Sequence, residues 1–223
     1  MSLSDSPAEA ATEETPDLRG QITSEQELRA LLGEPGAPAL KKQIAHLDAH
    51  CRRFVALSPL LFISTANRAG LCDVSPKGDA PGFVRVLSDH LLSIPDRPGN
   101  RRADTLRNII ENPQVGLLFV IPGLRETLRI NGRAALYTDP ALLDSLSAQG
   151  KAPQLAIVVE ACEVFLHCGR ALIRSRLWET ARWPPAEALP SAPQIFADHI
   201  ALPGVTSEVA EEALEESYTT ELY

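Results

Sequence analysis

Residues 91–123, LLSIPDRPGNRRADTLRNIIENPQVGLLFVIPG, decide how this chain folds. LLSIPD is a short apolar strand, PGNRR a Pro/Gly loop, ADTLRNIIENP a short helix closed by Asn112 and Pro113, and QVGLLFVIP an almost continuously apolar strand. Upstream, LLFISTA (60–66) and LCDVSP (71–76) flank a turn at Asn67 to Gly70, which is a hairpin signal. FVRVL (83–87) adds another short strand, set off by Ser88-Asp89. Downstream, Leu128, Ile130, Gly132, Ala134 and Leu136 alternate with Thr127, Arg129, Asn131 and Arg133, so one face is buried and the other polar. DPALLDSLS (139–147) is a short helix with Pro140 in its first turn, and LAIVVEACEVFLHC (155–168) is a long strand. About six strands at hairpin spacing, with only short helices between them, predict a mainly β, α+β fold. The expected architecture is a six-stranded antiparallel barrel rather than a doubly wound sheet.

The ends differ in character. Residues 1–20 are Ala/Glu/Pro/Ser-rich and non-periodic, and are expected to be disordered. Residues 21–56 read as N-terminal helices. Thr23 and Gln26 form a capping-box pattern for a helix to about Leu32, and a second helix is expected from about Ala39 to Arg53, striped by Leu40, Ile44, Leu47 and Cys51. Residues 57–180 carry the barrel, ending in a helix or turn at CGRALIRSRLWE. Residues 181–223 form a Pro-rich arm (184–193), suited to wrapping a partner, and an acidic tail. After Thr206 the tail can be a helix, but it is expected to be loose without a partner.

Composition narrows the function. With 29 acidic and 21 basic residues the net charge is −8, against general nucleic-acid or anionic-membrane binding. No apolar run is long enough to span a membrane, and MSLSDSPAEAATEETPDLRG is no secretory signal, so a cytoplasmic setting is expected. Cys51, Cys72, Cys162 and Cys168 show no metal-ligand spacing and are expected to be reduced core thiols. His46 and His50 are i, i+4 on a helix but lack an H-E-x-x-H context, so no metal is expected. Lysine occurs only at Lys41, Lys42, Lys77 and Lys151, and arginine dominates. Its fork suits phosphate or carboxylate, so an anionic small ligand is sought.

The segment from Ile94 to Arg107 is the strongest candidate. A helix start leaves backbone N–H groups free at the positive end of a dipole, and Arg101 and Arg102 add full charges, with Asn100 and Thr105 as further donors. The same residues also read as a solvated helix start whose arginines pair with Asp96 and Asp104. DVSPKG (73–78) is a strand end whose Ser75 and Lys77 could meet a polar ring edge, or simply a turn. At 167–178, His167, Arg170 and Arg174 cluster, with Trp178 able to stack on a planar ring or to serve as a core anchor.

Together SPLLFISTANRAGLCDVSPKGD (58–79), residues 91–123, ETLRINGRA (126–134) and HCGRALIRSRLW (167–178) resemble the pyridoxamine 5′-phosphate oxidase-related, FMN-binding split-barrel family, in its uncharacterised bacterial branch. The resemblance implies a six-stranded split barrel, a homodimer, and FMN at the subunit interface. It implies that Asn100, Arg101, Arg102 and Thr105 hold the phosphate and that Ser75, Pro76 and Lys77 lie along the isoalloxazine. Arg170, Arg174, Ser175 and Trp178 would approach from the partner chain. The vitamin-forming oxidase carries an Arg-Leu-His-Asp-Arg type substrate motif where this chain has Phe165-Leu166-His167-Cys168-Gly169-Arg170. Its Ser-Arg-Lys phosphate signature is Asn-Arg-Arg here. The expected function is therefore an FMN-dependent oxidoreductase with a different substrate, His167 being a candidate catalytic residue. The alternatives are a non-catalytic FMN or tetrapyrrole (haem) binding protein acting as sensor or carrier, and a structural dimer whose arginines form ion pairs.

Overall fold

The period-two pattern of the strands carries through to burial. In a computed structural model, which describes residues 17–223, β1 (Leu60–Ala66) buries Leu61, Ile63 and Thr65 and turns Phe62 and Ser64 outward. β2 (Cys72–Gly78), β3 (Arg85–Val86), β4 (Leu91–Pro95), β5 (Gln114–Val120), β6 (Thr127–Tyr137) and β7 (Ala156–His167) complete one antiparallel sheet in the order β2-β1-β5-β6-β7-β4-β3. The sheet has seven strands rather than the expected six. FVRVL supplies the seventh as a two-residue strand, because the hairpin to β4 pairs only Arg85 with Ser93 and Val86 with Leu92. The sheet is also open: β2 and β3 are its edges, with no ladder between them.

Two helices close the core. α1 (Glu25–Leu32) and α2 (Ala37–Lys41) precede α3 (Ala49–Leu57), whose Cys51, Phe54 and Val55 are buried, and α4 (Asp104–Glu111) adds Thr105 and Ile109. They pack with Leu61, Ile63, Leu117, Phe119, Ile130, Ile157 and Val159 from the sheet. The single helix expected over 39–53 is thus two. Ile44 exchanges backbone hydrogen bonds with Val164 (3.0 and 2.7 Å), which holds the chain extended, and Asp48 then caps a new helix by accepting the Cys51 N–H.

β7 changes phase along its length. Asn131 faces Glu163 while Gly132 faces Ala161, leaving Cys162 as an extra bulged residue. Ile157, Val159 and Ala161 point inward before the bulge and Val164 after it. A Cβ on Gly132 would run into the Glu160 carbonyl oxygen, so this crossing requires glycine.

The chain divides into two compact units, one ending at Leu40 and the other Lys41–Tyr223. In the first, Ser24 rather than Thr23 caps α1, accepting the Glu27 N–H at 3.2 Å, while Glu27 accepts the Thr23 N–H at 2.9 Å. The capping pair is one residue later than the sequence suggested. Most of the 1–20 segment, expected to be disordered, lies outside the described residues.

In the second unit, α5 (Pro140–Ser145) is capped by Asp139, and α6 (Arg170–Ser175) follows β7. The Pro-rich stretch leads into α7 (Ala192–Ile200), and the acidic tail is α8 (Ser207–Thr220). Rather than staying loose, α8 packs on α7, with Ala197 and Ala210 buried. Among the described residues no helix is long and apolar enough to cross a membrane. All four cysteines are free, but only Cys51 is a core thiol. Cys72, Cys162 and Cys168 are exposed, so the expectation of four core thiols fails for the three on or beside outward strand positions.

Candidate functional site

The loop after β4 and the start of α4 are built around two left-handed residues. Arg101 (φ 61°) and Ala103 (φ 57°) turn the chain sharply on either side of Arg102, whose N–H donates to Asn100 Oδ1 at 3.1 Å. α4 begins at once, with Ala103 in the cap position and no side chain accepting from its first N–H groups. A helix start without a side-chain cap offers backbone donors and a positive dipole end. Arg101 and Arg102 are exposed beside it. Arg102 Nε donates to Asp104 Oδ2 at 2.9 Å, and that hydrogen bond holds its pKa above the ordinary guanidinium value. Arg101 makes no ion pair among the described residues.

This corner opens into a cavity of about 1250 Å³, bounded by Asp73 to Lys77 of β2, Asp96 to Leu106, Lys151 to Leu155, and the end of α8 through Tyr223. The structure thus brings together Ser75, Pro76, Lys77, Asn100, Arg101, Arg102 and Thr105. Pro76 is tolerated because β2 is an edge strand. The Thr105 hydroxyl is turned to β2, donating to Asp73 Oδ2 at 2.7 Å, and Asn108 Nδ2 donates to Thr65 Oγ1 at 3.0 Å. These two bonds fix α4 against β1 and β2. With the Thr105 proton committed, the donors left to an anion here are the backbone N–H groups, the Asn100 amide and the arginines.

The lysine of β2 is already paired: Lys77 Nζ lies 3.0 Å from Asp96 Oδ1. Beside it Arg97 Nε donates to Asp79 Oδ2 at 2.8 Å. Asp96 therefore takes a lysine, not one of the arginine pair. Burial pushes the Asp79 carboxyl up, but hydrogen bonds from Tyr223, the Ala80 N–H and Arg97 outweigh it and leave the pKa below the usual carboxylate value.

The second group of expected residues lies elsewhere. Arg170 and Arg174 are exposed on α6, Ser175 donates to its own helix at Leu172, and Trp178 Nε1 donates to the Leu124 carbonyl at 2.8 Å. None of them, nor His167 at the end of β7, lines the cavity of their own chain. Gly169 turns the chain into α6, where a Cβ would sit 2.8 Å from the Arg125 Cβ.

The profile of the family described as pyridoxamine 5′-phosphate oxidase matches residues 47–168, more than half of the chain. This chain belongs to the pyridoxamine 5′-phosphate oxidase family. Among solved structures, HupZ of Group A Streptococcus is 19% identical, with 53% of this chain and 92% of that one covered and a TM-score of 0.44. A Clostridium acetobutylicum protein related to general stress protein 26 of B. subtilis gives 14%, 53%, 86% and 0.40. General stress protein 26 of Bacillus anthracis gives 13%, 52%, 93% and 0.38. The search of curated proteins gave no match.

The family match takes in α3, all seven strands and the loop at Asn100 to Ala103, and it ends at Cys168. The oxidase-family segment thus contains three of the four walls of the cavity. The fourth, from Ser217 to Tyr223, lies outside it. Sequence reasoning missed this wall, together with Asp79, Arg97 and Lys151. For Asp79 and Arg97 a signal existed, since Lys77-Gly78-Asp79 and Asp96-Arg97 carry complementary charges in matching order.

Proposed function

We propose that this chain binds FMN, with the phosphate held at the start of α4 by Arg101, Arg102 and the first backbone N–H groups of the helix. The observation that carries this reading is an α4 start without a side-chain cap, flanked by left-handed Arg101 and Ala103 and opening on the cavity that also holds Ser75, Pro76 and Lys77. The donor set fits the group: forked cations and a free helix terminus suit a phosphate dianion. At about 1250 Å³ the cavity exceeds the roughly 300–1,000 Å³ of common ligand sites, leaving room for a second molecule beside the cofactor.

In this reading the open sheet is the FMN-binding split barrel, and two chains form a homodimer with the cofactor at their interface. Arg170, Arg174, Ser175 and Trp178, remote from the cavity of their own chain, then serve the cavity of the partner. FMN supplies hydride or electron transfer when bound. Lys77 offers a cation to the electron-rich edge of the ring, and its pairing with Asp96 fixes its position. His167 is the candidate proton donor. The missing first arginine of the substrate motif, where Phe165 stands, points to an oxidoreductase acting on something other than pyridoxine phosphate.

FMN titration followed by flavin fluorescence tests this. Charge reversal at both Arg101 and Arg102 should weaken binding by about 100-fold or more, since each charge-assisted hydrogen bond contributes on the order of 1.5–3 kcal/mol. Stability should stay nearly unchanged, as at other exposed loop positions. A colourless protein that takes up no added FMN overturns the proposal. Bound flavin that neither NADH nor NADPH reduces would make the chain a carrier or sensor.

A further inference from the structure

The wall built by the end of α8 hangs on one residue. Tyr223 makes three contacts, each to a different part of the second unit. Its phenol donates to Asp79 Oδ1 at 2.8 Å, just past the end of β2. Its ring lies 5.6 Å from the Arg97 guanidinium, in the loop after β4. Its backbone carbonyl accepts from Lys151 Nζ at 2.7 Å, in the loop before β7. Asp79 and Arg97 are themselves ion-paired at 2.8 Å, so the phenol docks on a pair already held in place.

The intervening turn has few other ties. Tyr218 and Leu222 are 59% and 57% exposed, so apolar burial does not hold this segment down. Thr219 and Thr220 return their hydroxyl protons to Glu215 and Glu216 of their own helix. Yet Ser217, Tyr218, Thr220 and Glu221 face the same cavity as Arg101 and Arg102. α8 stays packed on α7 at Ala210, so its last turn, tied down by one well-anchored end residue, is the part that swings from the cavity when the anchor lets go.

We propose that Tyr223 is a positioning residue that latches the end of α8 across the cavity, and that a bulky anionic ligand enters and leaves by displacing this wall. The identity of the ligand rests on the FMN reading; the latch rests on the three contacts of Tyr223. Release of the latch changes the rates of passage more than the equilibrium affinity, because the phosphate contacts lie on α4, away from the wall.

The test compares the full-length protein with Tyr223→Ala and Tyr223→Phe, measuring FMN association and dissociation by stopped-flow fluorescence and amide exchange of residues 214–222. Tyr223→Ala should speed both rates about tenfold or more and loosen exchange at the end of α8. Tyr223→Phe keeps the ring over Arg97 and the carbonyl on Lys151 but loses the bond to Asp79, so it should fall between. Unchanged FMN rates in Tyr223→Ala, with α8 loosened, overturn the gating role. Unchanged exchange in Tyr223→Ala overturns the latch itself. Should the wild-type protein bind no FMN, the cofactor reading falls. Exchange alone then decides the latch: protection at residues 214–222 that Tyr223→Ala removes upholds it, and a wild-type segment already unprotected sinks it.

Discussion

Asp79 Oδ2 and Arg97 Nε stand 2.8 Å apart, joining the chain that leaves edge strand β2 to the chain that leaves β4. The sheet places no ladder between these strands. Lys77 and Asp96 repeat the arrangement one step away at 3.0 Å. Two ion pairs thus span a seam that backbone hydrogen bonds leave open. The side chains of Arg97 and Asp79 are 15% and 4% exposed, so this is not an ordinary surface pair.

Removing one partner should therefore be costly. Arg97→Met leaves a buried carboxylate without its cation, and destabilisation of about 3 kcal/mol is expected from such losses. Urea unfolding measures it. Arg102→Met, which breaks an exposed, solvent-screened pair with Asp104, should leave stability nearly unchanged and serves as the comparison.

The seam also sets a pH window. The Asp79 pKa is held below its ordinary value, so its contribution is complete above about pH 4, the unfolded carboxylate value, and is lost as pH falls through the depressed value. The Tyr223 phenol is pushed above its ordinary value, first by its hydrogen bond to Asp79 and then by burial. Its contribution is present below about pH 10 and lost as pH rises through the raised value. The charged groups facing this contact are Arg97 and Lys151. Protease nicking near the end of α8 should be slowest at neutral pH and faster at both extremes. A flat profile would count against the Asp79–Tyr223 bond.

The bulge on β7 makes Gly132 irreplaceable. Gly132→Ala drives a methyl group into the Glu160 carbonyl and should cost about 2–3 kcal/mol, the upper range for overpacking. Gly99→Ala is the control, since nothing lies within 4 Å of its added Cβ, and it should be nearly neutral. Thermal unfolding of the two variants distinguishes them.

Cys51 should be chemically silent. Burial, with the Asp48 carboxylate beside it, pushes its thiol up to about 12, so almost no thiolate exists near neutral pH. In a variant with Cys72, Cys162 and Cys168 changed to serine, a thiol reagent should label the folded protein only at its unfolding rate. Rapid labelling would mean that α3 leaves its packed position without global unfolding.

The sequence carried the strands well because burial of one sheet face imposes a period of two, visible in LLFISTA and in Leu128 to Leu136. It carried the loop from Pro95 to Arg107 because Pro and Gly must end a strand before a helix can begin. The break between α2 and α3 was hidden, since it comes from Ile44 pairing with Val164, far along the chain. FVRVL was legible as a strand, but not that only Arg85 and Val86 of it pair, because pairing length depends on the turn rather than on apolar pattern. Tyr223 was equally hidden. A tyrosine after an acidic helix has no periodicity to betray it, and its partners Asp79, Arg97 and Lys151 become neighbours only in the folded chain.

Cys162 has a consequence beyond its own position. Before it, β7 lies along β4 from Ala156 to Glu160; after it, Val164 meets Ile44. An unbroken alternation would present an apolar side chain to the interior at only one of these stretches. One supernumerary residue resets the alternation midway, and a single strand can then serve two neighbours that are out of step with each other. Without the bulge, the same residues in plain alternation from Ile157, Val159 and Ala161 would turn Val164 to the solvent.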